Sequence, residues 1–107
     1  MKLPCITIVM PSFNQAAFLA ESICSIVGQN YPNLDFLIMD GGSTDGSVEI
    51  IKQFENKLAY WQSKPDKGQT DAIIQGFNLA KGNILTWINS DDILLPNTLW
   101  KISQLYD

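Results

Sequence analysis

Two adjacent carboxylates, Asp91 and Asp92, are the residues of this chain whose type and position most clearly suggest chemistry. They follow an apolar run at residues 83–89 that is typical of a buried strand, so the pair lies at a strand's carboxyl end. Open α/β sheets bind ligands at that edge. Carboxylate oxygens select Mg²⁺ or Mn²⁺ and leave coordination positions for substrate phosphates. The pair therefore predicts a divalent-metal site; the simpler alternative is a turn that caps the next helix.

The elements that must position this pair alternate between short apolar runs and amphipathic stretches. The apolar runs predict four strands, at residues 5–10, 34–40, 58–62 and 83–89. The amphipathic stretches predict helices at residues 15–27, 47–55 and 69–81, and a last helix with Pro96 in its first turn. Strands separated by helices imply a parallel sheet with right-handed crossovers and helices on both faces. The predicted fold class is a doubly wound, mainly parallel α/β sheet.

Local signals set the expected ends and faces of these elements. Pro11 is expected to end the first strand, Asn14 to cap the first helix, and Gly82 to end the third helix. The buried stripe of the third helix is predicted at Ile73, Phe77 and Ala80. Caps for the second helix are expected among Ser43, Thr44 and Asp45. These signals place polar loops after each strand.

Those loops are the second candidate feature, because all four carry polar residues. They cover residues 11–14, 40–46, 65–68 and 90–92. The carboxyl ends of parallel strands open on one edge, so groups that are distant in sequence converge on one cleft. The sequence therefore predicts one ligand site built from four loops.

Composition narrows the classes of protein. A chain of 107 residues with 46% hydrophobic and 17% charged residues is one globular domain or part of one. A net charge of −4 argues against a nucleic-acid partner, which needs Lys and Arg contacts to phosphate. Cys5 and Cys24 cannot form a disulfide framework, and the first apolar run is too short to span a bilayer. A cytoplasmic location is the default expectation.

Three motifs now carry a resemblance to a known family. Residues 8–14, 40–47 and 89–92 resemble, in order, the serial motifs of the family 2 glycosyltransferases, which have the GT-A fold. The match covers almost the whole chain, and three motifs at compatible spacings make it specific. The resemblance implies that residues 1–107 are the nucleotide-sugar-binding part of a truncated GT-A domain, with the acceptor-binding part missing.

The resemblance implies roles for particular residues. The first-strand loop of the family touches the nucleobase and ribose, which falls on Pro11, Ser12 and Phe13. The aspartate that closes the second strand contacts the base, which falls on Asp40. The final pair matches the family's DXD signature, so that Asp91 lies near the ribose and Asp92 ligates Mg²⁺ or Mn²⁺ on the donor diphosphate.

The chain departs from the family pattern at two places. Many members carry a second aspartate after the second strand, where this chain has Gly41. Many also place Arg-Asn inside the third helix, where this chain has Ile73 and Ile74. Lys67 and Asp71 are assigned to the cleft here, with Lys67 as a phosphate or base contact.

The implied reaction is metal-dependent transfer of a sugar, as by a hexosyltransferase, from a nucleotide diphosphate sugar to an acceptor hydroxyl. UDP is the expected nucleotide, and polysaccharide or glycoconjugate biosynthesis the expected setting. The catalytic base matches no residue and is expected beyond Asp107. Peripheral association of the full-length protein with a membrane is left open, as are the acceptor and the oligomeric state.

Rival classes fit less well. A phosphoacceptor receiver domain needs an acidic pair after its first strand, where Ser12 and Asn14 stand. A Rossmann dehydrogenase needs Gly-x-Gly-x-x-Gly at the same place. A non-catalytic nucleotide-binding or interaction module stays open as the alternative.

Overall fold

The four strands found within residues 3–106 lie side by side and run parallel. A computed structural model describes residues 3–106; residues 1, 2 and 107, including Asp107, lie outside the described part. The strands are β1 (Ile6–Ser12), β2 (Leu34–Asp40), β3 (Tyr60–Ser63) and β4 (Ile84–Trp87). The helices are α1 (Ala16–Val27), α2 (Ser47–Gln53), α3 (Gln69–Leu79) and α4 (Thr98–Leu105), with a 3₁₀ turn at Glu55–Lys57. No helix within residues 3–106 is long and apolar enough to cross a bilayer.

The sheet has the order β3-β2-β1-β4, which confirms the predicted parallel α/β class. Every residue of β1 is buried, because this strand has neighbours at both sides and helices over both faces. A strand in that position is apolar throughout rather than alternating. Ser12 pairs in register with Asp40, and Asp40 with Ser63. Three strands therefore end at one edge of the sheet.

The two faces of the sheet are covered unequally. Ile6, Ile8 and Met10 of β1 belong to the larger core cluster, together with buried residues of α1, α2 and α4. Val9 points to the opposite face, where it packs with Met39 and Ala72. Helix α3 therefore covers one face, while the other three helices share the larger core.

The buried side of α3 differs from the predicted stripe. Ala72 and Gly76 are the buried residues of this helix, whereas Ile73, Phe77 and Ala80 are only half-buried. A Cβ added to Gly76 would lie 2.4 Å from Cγ1 of Val9. Phe77 still packs against the cluster of Val9, Met39 and Ala72, as predicted. The centre of the buried face was predicted wrongly, because small residues let the helix backbone approach β1 closely and move the larger side chains to the flanks.

The end of β1 also differs from expectation. The strand continues through Pro11 to Ser12, and Pro11 pairs in register with Met39. The Val9 carbonyl bonds to Ile88 on the β4 side, so Pro11, two residues on, presents its missing N–H to that side too. Pairing with β4 stops at Val9, so no ladder bond is lost at Pro11.

Two predicted caps and one predicted helix start were wrong as well. Asn14 has a φ of 51° and lies outside α1, whose N-cap position is Gln15. Helix α3 ends at Leu79, before Gly82, and α4 begins at Thr98, after Pro96. A Cβ on Gly82 would lie 2.5 Å from Oγ1 of Thr7, so close packing rather than helix capping requires this glycine. Strands β3 and β4 are shorter than predicted, at four residues each.

Candidate functional site

The loops that follow the four strands line a cavity of about 470 Å³ at the carboxyl edge of the sheet. Of the residues predicted to bind a nucleotide, four line it: Pro11, Ser12, Phe13 and Asp91. Asp40, Lys67 and Asp92 are not among the lining residues. The structure therefore brings the first and last motifs together around one space.

Asp40 lies behind the cavity wall, with none of its surface exposed. Its Oδ2 atom accepts hydrogen bonds from the backbone N–H groups of Gly42 (3.1 Å) and Ser43 (2.8 Å) and from the Ser63 hydroxyl (2.8 Å). Its Oδ1 atom accepts a bond of 2.6 Å from the Ser43 hydroxyl. A buried carboxylate needs donors of this number. Asp40 thus fixes the loop after β2 and ties it to β3, and its predicted contact with a base stays a prediction.

The loops after β1 and β2 are joined by reciprocal hydrogen bonds. The backbone N–H of Asn14 donates to Oγ of Ser43 at 2.8 Å, and the N–H of Thr44 donates to Oδ1 of Asn14 at 2.9 Å. The left-handed backbone of Asn14 suits this residue type. Asn14 therefore holds two walls of the cavity together instead of capping a helix by its side chain.

Asp45 serves the N-termini of two helices at once. Its Oδ1 atom accepts bonds from the Ser47 hydroxyl (2.6 Å) and N–H (3.1 Å), at the start of α2. Its Oδ2 atom accepts the N–H of Ala16 at 3.0 Å, at the start of α1. The Ser47 hydroxyl, followed by the Ala16 N–H, lowers the pKa of Asp45. Asp45 therefore bonds the first backbone N–H of both helices, whereas the N-cap position of α2 is Gly46 and none of the three predicted residues.

The loop between β3 and α3 is closed by another carboxylate. Asp71 accepts the backbone N–H of Lys67 at 2.9 Å and the side-chain amide of Gln75 at 3.0 Å. The Lys67 N–H is the main cause of a lowered pKa at Asp71. The Lys67 side chain is exposed. Asp71 thus shapes the turn, and a ligand contact by Lys67 stays a prediction.

The acidic loop after β4 is anchored through its backbone. The Ser22 hydroxyl of α1 donates to the carbonyl of Asp92, and the N–H of Asp92 donates to the Asn89 carbonyl at 3.1 Å. Oδ1 of Asn89 accepts a bond of 2.6 Å from the Gln69 amide at the start of α3. These contacts hold the loop while both carboxylates stay exposed.

A metal at this loop would need ligands from outside the chain. Residues 3–106 contain no group of three or more His, Cys, Asp or Glu side chains placed to hold an ion. Mg²⁺ commonly binds through one or two carboxylates plus waters and substrate phosphates. The exposed pair of Asp91 and Asp92 fits a metal that is also held by waters and substrate phosphates. It does not fit a metal that is held by protein side chains alone.

One buried polar atom of the cavity has no partner. Ser12 is 5% exposed, and its Oγ accepts or donates no hydrogen bond within residues 3–106. An unpaired buried hydroxyl costs about 1–3 kcal/mol. Ser12 lines the cavity, but its Oγ has almost no accessible surface, so a bound molecule would reach this atom only after the side chain turns toward the cavity.

Gly41, Asp66 and Asn89 lie in the predicted loops or motifs but were given no binding role, and the lining residues that sequence reasoning missed altogether are Gln15, Gln69 and Ala72. Asp66 and Gln69 lie in or beside a turn-prone segment whose conformation the sequence does not specify. Asn89 stands next to Ser90 and the acidic pair, and its position was a usable signal. The Gln69 to Asn89 bond depends on how α3 lies over the sheet, which no local pattern encodes.

Comparison with known sequences gives a family match. Residues 7–107 match the family model described as glycosyl transferase family 2. An uncharacterized glycosyltransferase of Haemophilus influenzae is 32% identical over 104 residues, covering 94% of this chain and 42% of the relative. The glycosyltransferase GlyG of Streptococcus pneumoniae is 32% identical over 102 residues, covering 92% of this chain and 34% of the relative. The chain thus spans well under half the length of these relatives.

Solved structures show the same fold. The mannosyltransferase PcManGT of Pyrobaculum calidifontis, in complex with GDP-Man and Mn²⁺, gives a TM-score of 0.86 at 23% identity, covering all of this chain and 34% of that one. Staphylococcus aureus TarS, residues 1–349, in complex with UDP, gives a TM-score of 0.82 at 21% identity, covering 94% of this chain and 31% of that one.

Proposed function

Because the chain belongs to glycosyl transferase family 2, we propose that it binds a nucleotide diphosphate sugar and supplies the donor side of sugar transfer to an acceptor hydroxyl. One observation carries the proposal: a single cavity is lined both by the unpaired buried hydroxyl of Ser12 and by the exposed carboxylate of Asp91. A ligand with hydrogen-bonding groups at one end and a metal-bound diphosphate at the other meets both requirements.

The nucleoside end is assigned to the loop after β1. Pro11 and Phe13 offer apolar surface to a base or ribose, and the ring of Phe13 is 59% exposed. The Ser12 hydroxyl lies between them and would pair with a polar group of the nucleoside once its side chain turns toward the cavity. Asp40 contributes through the loop it fixes. Lys67 lies between the lining residues Asp66 and Gly68 and is assigned a phosphate or base contact.

The diphosphate end is assigned to the acidic loop. Asp92 would hold Mg²⁺ or Mn²⁺, and Asp91 would lie near the ribose. A bound divalent ion neutralises charge on the leaving diphosphate. Asn89 and Gln69 position this loop through their hydrogen bond. No residue of the chain is assigned to deprotonation of the acceptor.

The nucleotide is proposed to be UDP, with GDP as the alternative. PcManGT is described with GDP-Man and Mn²⁺ and TarS with UDP, so both nucleotides occur among proteins of this fold. We place the reaction in polysaccharide or glycoconjugate biosynthesis.

Calorimetric titration with UDP and with GDP, each with and without Mn²⁺, tests the proposal. Wild-type protein is expected to bind one of them in a metal-dependent manner. Asp92→Asn should weaken metal-dependent binding by about tenfold or more, because it removes a charged ligand. Glu49→Gln is the charge-matched control: Glu49 lies exposed in the first turn of α2, and its replacement should leave binding unchanged. A folded wild type that binds neither nucleotide with Mn²⁺ contradicts the proposal.

A second candidate is a module that binds nucleotide without turnover. It is favoured by the charges of the cavity, since Asp66 and Asp91 are the charged lining residues within residues 3–106 and Asp91 is already assigned to the donor. Release of UDP from a UDP-sugar, measured with and without sugar acceptors, separates the candidates.

A further inference from the structure

Gly41 leaves a specific space at the edge of β2. Its N–H donates to the Ser12 carbonyl at 2.8 Å, so it lies directly beside β1. A Cβ added at this position would lie 3.1 Å from each carboxylate oxygen of Asp66 and 3.3 Å from its Cγ. No positive φ requires glycine here. The space that a side chain of residue 41 would use is therefore taken by the carboxylate of Asp66.

The Asp66 carboxylate is held in place with acceptor capacity left over. Oδ1 accepts the N–H of Gly68 at 2.9 Å, which fixes the side chain within its own turn. Oδ2 accepts no hydrogen bond from residues 3–106. Both Gly41 and Asp66 are half-buried and line the cavity with Pro11, Ser12 and Phe13. A fixed acceptor therefore faces the part of the cavity assigned to the nucleoside.

The chemistry of a carboxylate restricts which base it can pair with. An ionised carboxylate accepts hydrogen bonds and donates none. Uracil and thymine carry a ring N–H at N3, and guanine carries one at N1. Cytosine and adenine donate instead from their exocyclic amino groups at N4 and N6. The selection therefore requires the carboxylate to lie opposite the ring nitrogen, where cytosine N3 and adenine N1 present lone pairs. Such a site rejects the wrong base by repulsion as well as by a lost bond.

We propose that Asp66, in the space left open by Gly41, reads the base of the bound nucleotide and selects bases that carry a ring N–H. The inference rests on the proposed function, because it assumes that a nucleotide occupies the cavity. It assigns base selection to the loop after β3, which the sequence motifs did not include.

The test measures the affinities of UDP, CDP, GDP and ADP in the presence of Mn²⁺. UDP should bind about ten- to hundredfold more tightly than CDP, or GDP should bind more tightly than ADP by the same factor, because the disfavoured base loses a hydrogen bond to a charged group. Which of UDP and GDP binds more tightly identifies the base. Asp66→Asn should bring the UDP to CDP ratio close to one or invert it, because an amide also offers a donor to cytosine N3. Glu49→Gln controls for the lost negative charge and should keep the ratio of the wild type.

A swap of the carboxylate between the two positions gives a second, independent test. Asp66→Gly should abolish base preference. Adding Gly41→Asp should restore it, because a side chain at position 41 enters the space that the Asp66 carboxylate fills in the wild type. Equal binding of all four nucleotides, or an unchanged ratio in Asp66→Asn, overturns the inference and leaves the proposed function standing. Absence of binding by all four to folded wild type overturns both.

Discussion

Some buried polar side chains at the carboxyl edge of the sheet have hydrogen-bond partners within the protein and others have none. This difference separates side chains that stabilise the fold from side chains that are candidates for ligand binding. Asp40 receives four hydrogen bonds and has no exposed surface, so its hydrogen bonds stabilise the folded chain. Ser12 receives none within residues 3–106 and lines the cavity. A group that costs stability and makes no internal contact is typical of a binding site. The two residues were given similar roles from sequence, because hydrogen-bond partners become visible only in three dimensions.

Ser12→Ala should therefore separate stability from binding. Removing an unpaired buried hydroxyl is expected to leave the free energy of unfolding unchanged or raise it by about 1 kcal/mol. The same change should weaken nucleotide binding severalfold, since the ligand loses its partner. Urea unfolding and nucleotide titration measure the two effects.

Ser63→Ala is the matched control, because its hydroxyl donates to Asp40 at 2.8 Å. It should lower the free energy of unfolding by about 1 kcal/mol, as expected for loss of a satisfied bond. A Ser12→Ala protein that is destabilised and binds normally would show that Ser12 has a structural role only.

At the scale of elements, the strands and the order of strands and helices were predictable, whereas the buried face of α3 and several helix ends were not. A buried central strand such as β1 is apolar throughout, and that run is visible in sequence. The face of α3 was misassigned because hydrophobicity favours Ile73 and Phe77, while the contact with β1 requires small residues. Helix ends were missed at Asn14 and Gly82, which serve a neighbouring loop and a close approach to β1.

Gly76→Ala should destabilise the protein although alanine favours helices. The helix gains about 1 kcal/mol from the change. The added Cβ, however, would lie 2.4 Å from Cγ1 and 2.8 Å from Cγ2 of Val9, and overpacking of a core costs about 1–3 kcal/mol. The contact is too short to relax by small shifts, so we expect a net loss of stability in chemical denaturation.

Val9→Ala removes both of the clashing methyl groups and provides the double-mutant cycle for this contact. In the Val9→Ala background, Gly76→Ala should be neutral or stabilising, giving a coupling energy of about 1 kcal/mol or more. Additive effects of the two changes would contradict the close approach of α3 to β1.

At the scale of the whole molecule, the sequence predicted one site from four loops, and the cavity at the carboxyl edge joins them. The family resemblance and the GT-A fold are confirmed by the family model and the structural neighbours. The acidic loop and the loop after β1 could be recognised because each motif is contiguous in the chain. Gly41 with Asp66, and Gln69 with Asn89, could not, because each pair is separated by 20 residues or more and meets only through the packing of α3 and β3.

A cavity shared by four loops couples ligand binding to global stability. Each strand contributes its carboxyl end, so unfolding of any part dismantles the site, and a ligand that binds only the folded state stabilises the entire chain.

At 100 times its Kd, UDP with Mn²⁺ should add about 2.7 kcal/mol to the free energy of unfolding. About 1 kcal/mol shifts the Tm of a domain of this size by roughly 4 °C or more, so we expect a rise of about 10 °C in one cooperative transition. Circular dichroism melts at increasing UDP concentration measure it. Chelation of Mn²⁺ or Asp92→Asn should remove most of the rise, whereas a rise that survives both would place the diphosphate away from the acidic loop.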